Sequence, residues 1–282
     1  MIPSIPQSRT VRMAYVAYVV VFFLWLALPL VTVSVFAFND SQFPSLPWKG
    51  FTWDWFFGDA RPQIGVFNER RIMASIGTSV FIATIVSALA VLVGTTNAFL
   101  FNRYSFRGRG FLYVLMLLPL VVPGIVLGIS ILVFSSRVAG VVQDVTGLYS
   151  GLLRPGLPLV IAGQFSFITT IATLVISARL IKFDRSLEEA ALNLGAGPLT
   201  AVRTITIPYL APALIGAFVV AFLMSFENFN TTLMLVGSDA PLTITMFDRL
   251  KEGSTPVLNA VSLLLMLGSS LLALAMIAIQ RR

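Results

Sequence analysis

The chain is 282 residues long, 57% apolar and only 11% charged, with a formal net charge of +7. These proportions exclude an ordinary soluble domain and point to a chain that crosses a membrane several times. It has no histidine and no cysteine, which removes disulfides, thiolate metal sites and the commonest general base and makes an intramembrane protease or a metal transporter a poor reading; with no second buried carboxylate either, no acid/base pair is left for a membrane enzyme.

A membrane-crossing helix needs roughly 20 apolar residues. Uncharged runs of that length, bounded by charged residues, predict six helices at about residues 13–39, 72–101, 110–136, 157–178, 209–236 and 256–280. The expected fold is all-α: one polytopic membrane domain, residues 1–282, with about six transmembrane helices. The first run is far longer than the roughly 7–15 apolar residues of a secretory signal and is expected to remain as a helix. The segment that follows, about residues 40–71, carries Trp48, Trp53, Trp55, Phe56 and Phe57. These read as anchors at the membrane–water interface, or as contacts for an extracytoplasmic partner. The Arg103–Arg109 turn closes a short connection. The third run contains Pro119, Pro123, Gly124 and Gly128. Its prolines free backbone carbonyls that need neighbours or a cavity, so the segment either lines a passage or is a packing kink.

Between the fourth and fifth runs lies a polar segment, about 182–208. Ser186-x-x-Glu189 has the form of a capping box. Leu187, Ala190 or Ala191, and Leu194 recur at helical spacing as one apolar stripe, with Glu189 and Asn193 on another face. Gly195 is placed to end this helix in a left-handed conformation, and Pro198 to start a second segment. The fifth run holds Glu227 within Ser225-Phe226-Glu227-Asn228-Phe229-Asn230-Thr231-Thr232. A carboxylate at membrane depth costs roughly 2.5–3.5 kcal/mol, so it should face protein or water. On a continuous helix Asn230 and Thr231 would extend a polar stripe on its face, with Phe226 and Phe229 beside it. Carboxylate and rings together suit an ammonium group. The alternative is an ion pair that holds the fold.

With six helices both termini fall on one side. If that side is the cytoplasm, eleven basic residues there (Arg9, Arg12, Arg103, Arg107, Arg109, Arg179, Lys182, Arg185, Arg203, Arg281 and Arg282) oppose Asp184, Glu188 and Glu189, a net +8, while the outer segments balance to zero. That asymmetry predicts both termini inside. It also accounts for the basic character of the chain without nucleic acid.

Glu189-Ala190-Ala191, Gly195, Ile205 and Pro208 fall at the spacing of the cytoplasmic coupling loop of ABC importer permeases, and the segment resembles that loop. Ile207 stands where leucine is usual. The rest of the chain is similar to the second permease of spermidine/putrescine ABC importers. The similarity runs through Gly50-Phe51-Thr52-Trp53-Asp54-Trp55, Ser75-x-x-Thr78-Ser79, Phe106-Arg107-Gly108, Pro119 to Gly128, and Ser225 to Phe229. The first outer loop is longer than the family's around Ala60–Glu69. The resemblance implies a type I ABC importer permease-like fold in the bacterial inner membrane, forming half of a translocation path that works by alternating access. It implies that Glu188, Glu189, Ala190, Ala191, Gly195, Ile205 and Pro208 serve ATPase coupling. Glu227, Phe226, Phe229, Asn230, Thr231, Pro123 and Gly124 would line the substrate path. The partners implied are a second permease, related or identical, two cytoplasmic ABC ATPase subunits, an extracytoplasmic solute-binding protein and membrane lipid. No G-x-x-x-x-G-K-[S/T] loop is present, so no cofactor is expected on this chain, and ATP and magnesium belong to the separate ATPase. The implied cargo is a polyamine or related cationic amine. The broader family also carries opines, amino-acid derivatives, iron(III), sulfate and thiamine. A secondary transporter would call for more spans or an internal repeat, and none is evident.

Overall fold

The computed structural model describes residues 8–43, 46–60, 63–147, 149–253 and 256–280. Arg61, Arg281 and Arg282, which enter the charge balance above, lie outside them. Among the described residues six helices are long and apolar enough to cross a membrane: Arg9–Phe36, Arg70–Arg103, Gly124–Thr146, Leu157–Leu180, Pro198–Phe226 and Pro256–Ala278.

In chain order the helices are α1 (Arg9–Phe36), α2 (Asp54–Phe57), α3 (Arg70–Arg103), α4 (Arg109–Val121), α5 (Gly124–Thr146) and α6 (Leu157–Leu180). They continue with α7 (Ser186–Asn193), α8 (Pro198–Ala201), α9 (Ile207–Phe226), α10 (Asn230–Leu235), α11 (Leu242–Glu252) and α12 (Pro256–Gln280). Two of the predicted spans are not single helices. The run at 110–136 breaks between α4 and α5. Val122, which precedes Pro123, is extended at φ −77° and ψ 128°, because a residue before proline is pushed out of the helical region. The run at 209–236 ends at Phe226, and a separate short helix, α10, follows. There is no proline at this second break. Asn228 makes it instead: its Oδ1 accepts the Thr232 N–H at 3.2 Å and the Thr232 hydroxyl at 2.9 Å, a local competitor to the helical ladder. The fifth span also begins earlier than 209. A π-helical turn at Val202–Thr206 joins α8 to α9, next to Pro208, which has no N–H to give to the preceding turn.

The chain divides into two compact units. The first comprises residues 1–70 and 249–268. Ser8 caps α1 by accepting the Val11 N–H. No residue of α1 is buried, and most of its apolar surface is exposed. The outer segment folds on itself: Trp55 and Phe56 are buried, and Trp55 Nε1 donates to the Asn39 carbonyl at 2.8 Å. Of the five aromatics read as interfacial anchors, these two are therefore core residues of a small folded loop. Trp48, Trp53 and Phe57 remain exposed. Glu69 and Arg249 form an ion pair in the same unit.

The second unit comprises residues 71–248 and 269–282. Its core is built around α6. Leu159, Val160, Ile168, Ala172 and Ile176 pack with Ile82, Val86 and Ala90 of α3, Leu210, Ala217 and Ala221 of α9, and Leu235 of α10. Burying such side chains from water would stabilise by roughly 1.5–3 kcal/mol each. In lipid that gain is largely absent, and close approach of backbones carries the association. Gly94 serves this purpose. A Cβ there would lie 3.0 Å from Ala172 Cβ and from the Thr173 nitrogen.

Candidate functional site: the polar loop and the paired helix breaks

Two places in the second unit gather polar groups that an apolar fold does not need. The first is the loop between α6 and α9. α7 begins after Asp184, whose Oδ1 accepts the Ser186 N–H at 3.0 Å. Hydrogen bonds from the Ser186 backbone and side chain hold the Asp184 carboxyl below the usual carboxylate range. The predicted capping box is therefore replaced. Ser186 is the first helical residue, and the cap comes from the acid two positions earlier. The helix end follows expectation. Gly195 has φ +90°, the Ala196 N–H reaches the Ala191 carbonyl and the Gly195 N–H the Leu192 carbonyl, both at 3.0 Å. This is the Schellman pattern that a left-handed glycine permits.

Glu188 and Glu189 diverge. Glu189 is exposed. Glu188 turns inward, and only 14% of its side chain is exposed. It accepts from Arg103 Nη1 at 2.5 Å and from the Thr206 hydroxyl. Arg103, the last residue of α3, lies over the Phe99 ring at 4.8 Å and the Phe183 ring at 5.5 Å. Arg185 Nη2 donates to the Asn102 carbonyl at 3.0 Å. One carboxylate thus ties α7 to the end of α3 and the start of α9. Burial alone would push the Glu188 carboxyl up. The hydrogen bonds from Arg103 and Thr206, with the charges of Arg103 and Arg185, outweigh it and hold the group below the usual range.

The outer surface of the loop is apolar as well as charged. Leu187 and Leu192 are exposed, and Leu194 and Leu199 are 89% and 81% exposed. Ala190, Gly195 and Pro208 share this accessibility, Ala191 is half-buried, and Ile205 packs on the core. Sequence reasoning missed Arg103 and Thr206 as anchors of the loop. Arg103 was visible only as one of several arginines in a turn.

The second place is where the two helix breaks meet. Thr231 Oγ1 donates to the Gly124 carbonyl at 3.2 Å. A Cβ on Gly124 would lie 3.1 Å from Asn230 Cβ, and one on Gly128 only 2.9 Å from Met234 Cβ. The glycines after Pro123 thus let α5 lie directly against α10, and two features read separately in the sequence form one site. Thr170 Oγ1 donates to the Met116 carbonyl at 2.7 Å, one turn before the break.

Glu227 is the C-cap of α9, not a mid-helix residue. It is exposed. Among the described residues its carboxylate has no hydrogen bond or ion pair. Asn230 and Pro123 are exposed beside this break, and Gly124 is half-buried. Phe226 stacks on Phe222, and Phe229 meets Phe247 edge-on at 4.8 Å. Thr231 does not continue a stripe from Glu227. The break rotates it inward, where it is 1% exposed. Behind the break sit Gln164, Ser225 and Thr232, all buried, with Gln164 hydrogen-bonded to each of the other two. Gln164 was overlooked in the sequence, although an amide inside an apolar run was the available signal.

Residues 88–282 match the model of a family described as binding-protein-dependent transport system inner membrane components. The chain is 28% identical over 246 residues to the putrescine transport system permease protein PotI of Escherichia coli (strain K12), covering 86% of this chain and 82% of that protein. It is 28% identical over 266 residues to the spermidine/putrescine transport system permease protein PotC of Haemophilus influenzae, covering 94% of each. In fold it is similar to a chain of a bacterial ABC transporter involved in the import of the acidic polysaccharide alginate. The TM-score is 0.70 at 14% identity, over 97% of this chain and 96% of that one.

The Glu188 anchor predicts a pH signature for the loop. An unperturbed glutamate titrates near about 4.3. The folded value lies below that, so the stabilisation is fully present above the unfolded value and is lost as pH falls through the lower folded one. Hydrogen exchange of the α7 amides, corrected for intrinsic rates, should show constant protection from pH 7 to about 5 and a loss below about 4. Glu188→Gln should lower protection between pH 7 and about 5, each lost charged hydrogen bond costing roughly 1.5–3 kcal/mol, and should leave only the smaller acid dependence of the Asp184 cap. Unchanged protection in that variant would refute the anchor.

Proposed function

The chain belongs to the family of binding-protein-dependent transport system inner membrane components, and from that premise we propose that it forms half of the translocation path of an ATP-binding-cassette importer for a small cationic amine of the polyamine class. The observation that carries the amine is Glu227. It is an accessible carboxylate without a partner among the described residues, at a helix break and flanked by Phe226 and Phe229. An ammonium group gains from both the charge and the ring faces. The relatives named for putrescine and for spermidine/putrescine support the same substrate class. One carboxylate provides modest affinity, which a path needs, since a substrate held too tightly does not leave.

In this reading the chain is a non-catalytic multi-pass subunit of the bacterial inner membrane. ATP and magnesium are handled by two separate cytoplasmic ATPase subunits, which dock on Glu189, Ala190, Gly195 and the exposed leucines around them. Glu188, Ala191 and Ile205 act from behind that surface. A second permease completes the path, and an extracytoplasmic binding protein delivers the substrate. Both termini lie in the cytoplasm.

Three experiments test the parts separately. Glu227→Gln keeps the shape and removes the charge. Putrescine uptake by the assembled transporter should fall while assembly and ATP hydrolysis persist, and uptake at the wild-type rate would defeat the amine reading. Gly195→Asp places a charged side chain at φ +90° in open space, so its effect falls on the docking face and the turn rather than on the core. Substrate-stimulated ATP hydrolysis should drop with normal membrane insertion, and full coupling in a well-expressed variant would sink the docking assignment. Ser8→Cys provides a unique thiol, because the chain has no cysteine. It should resist an impermeant thiol reagent in sealed cells, and ready labelling from outside would reverse the topology.

A further inference from the structure

Gln164 lies in the first half of α6, 2% exposed, with no charge and no place in the path lining. Its Nε2 donates to Thr232 Oγ1 at 2.8 Å, and its Oε1 accepts from the Ser225 hydroxyl. The hydrogen-bond directions are determined. The Thr232 hydroxyl has one proton and gives it to Asn228 Oδ1 at 2.9 Å, so toward Gln164 it must accept, and the amide nitrogen must face it. Ser225 precedes Glu227 by two residues, and Thr232 follows it by five. A single buried amide therefore grips both ends of the segment that carries Glu227. On the far side, Thr243 Oγ1 donates to the Asn228 carbonyl at 3.1 Å.

We propose that Gln164 is a positioning residue for transport: it braces the helix break that Asn228 makes, so that the Glu227 carboxylate stands free in the path. The inference rests on the reading of Glu227 as the amine contact. The chemistry selects an amide. Ser225 and Thr232 require one acceptor and one donor from the same side chain, which glutamine has and leucine lacks. An ionised glutamate has only acceptors. A lysine or arginine would neutralise Glu227, the group that is to meet a cation. A neutral amide holds the break without competing for the substrate.

The test is a double-mutant cycle on the complete transporter, assembled with its partner permease, ATPase and binding protein, with labelled putrescine as the probe. Putrescine uptake and the ATP hydrolysed per putrescine are measured for the wild type, Gln164→Leu, Glu227→Gln and the double variant. With two hydrogen bonds removed, Gln164→Leu should lower uptake about tenfold. ATP consumed per putrescine should rise in proportion, because hydrolysis continues while passage fails. The double variant should be no worse than Glu227→Gln alone, since Gln164 acts through that carboxylate. A merely structural glutamine would lower the yield of complex and leave the ratio unmoved.

A loss in Glu227→Gln, combined with normal uptake in Gln164→Leu or with multiplied losses in the double variant, overturns the positioning role alone. Wild-type uptake in Glu227→Gln, or no putrescine uptake by the wild type, overturns the reading beneath it and this inference too. If Gln164→Leu fails to assemble, Ser225→Ala, which removes one of the two bonds, enters the cycle in its place and is judged by the same outcomes.

Discussion

A backbone group freed inside a membrane has no water to turn to, and that constraint organises the second unit of this chain. Each interruption of a helix is met by a side chain from another element. Thr170 takes up the Met116 carbonyl before the first break, Thr231 the Gly124 carbonyl after it, and Thr243 the Asn228 carbonyl at the second. Only the Thr231 bond joins one break to the other; Thr170 reaches in from α6 and Thr243 from α11. The result is a local polar region inside an apolar fold, buried at Ser225, Thr231 and Thr232 and exposed at Pro123, Glu227 and Asn230.

The same constraint explains what was legible in the sequence. The end of α7 was readable because every group it uses is local: Gly195 is left-handed and its hydrogen bonds close within six residues. The first break was legible only in part: its prolines marked a disturbed ladder, but the run at 110–136 reads as one span, and the structure divides it into α4 and α5. The second was not legible. Phe226 to Leu235 has no proline, and the helix stops because the Asn228 side chain captures groups the ladder would have used, which composition does not reveal. Long-range pairing was the least visible. Arg103 and Glu188 are 85 residues apart, and Gln164 and Thr232 are 68. Nothing in the local pattern of either partner names the other. The outer segment misled for a related reason. Its aromatics have the composition of an interfacial belt, but Trp55 and Phe56 are consumed by the loop's own small core.

α9 joins the two polar places. Its first turn adjoins Thr206, which is bonded to Glu188, and its last residue precedes Glu227. Twenty residues of helix span about 30 Å. Along that length Leu210, Ala217 and Ala221 are buried in the core with α6, so the helix is supported between its ends. The anchor at one end is an ion pair with 14% side-chain exposure on both partners, where Coulomb attraction is screened far less than at a surface pair. A displacement of α7 is therefore resisted at the start of α9 rather than absorbed by a slack loop.

The two carboxylates at the ends of that helix have opposite surroundings, and the difference separates their roles. Glu188 has its lone pairs engaged by a guanidinium and a hydroxyl, and two positive charges hold it ionised. Its side chain points inward at 14% exposure, while Glu189 and the leucines form the accessible face of the loop. Of the hydroxyls around Glu227, Thr231 donates to the Gly124 carbonyl, Thr232 to Asn228 and Ser225 to Gln164, so none of these three donates to the carboxylate. An unpaired acid at membrane depth is costly, and that cost is the physical argument for the proposal that a cation from outside the chain meets it.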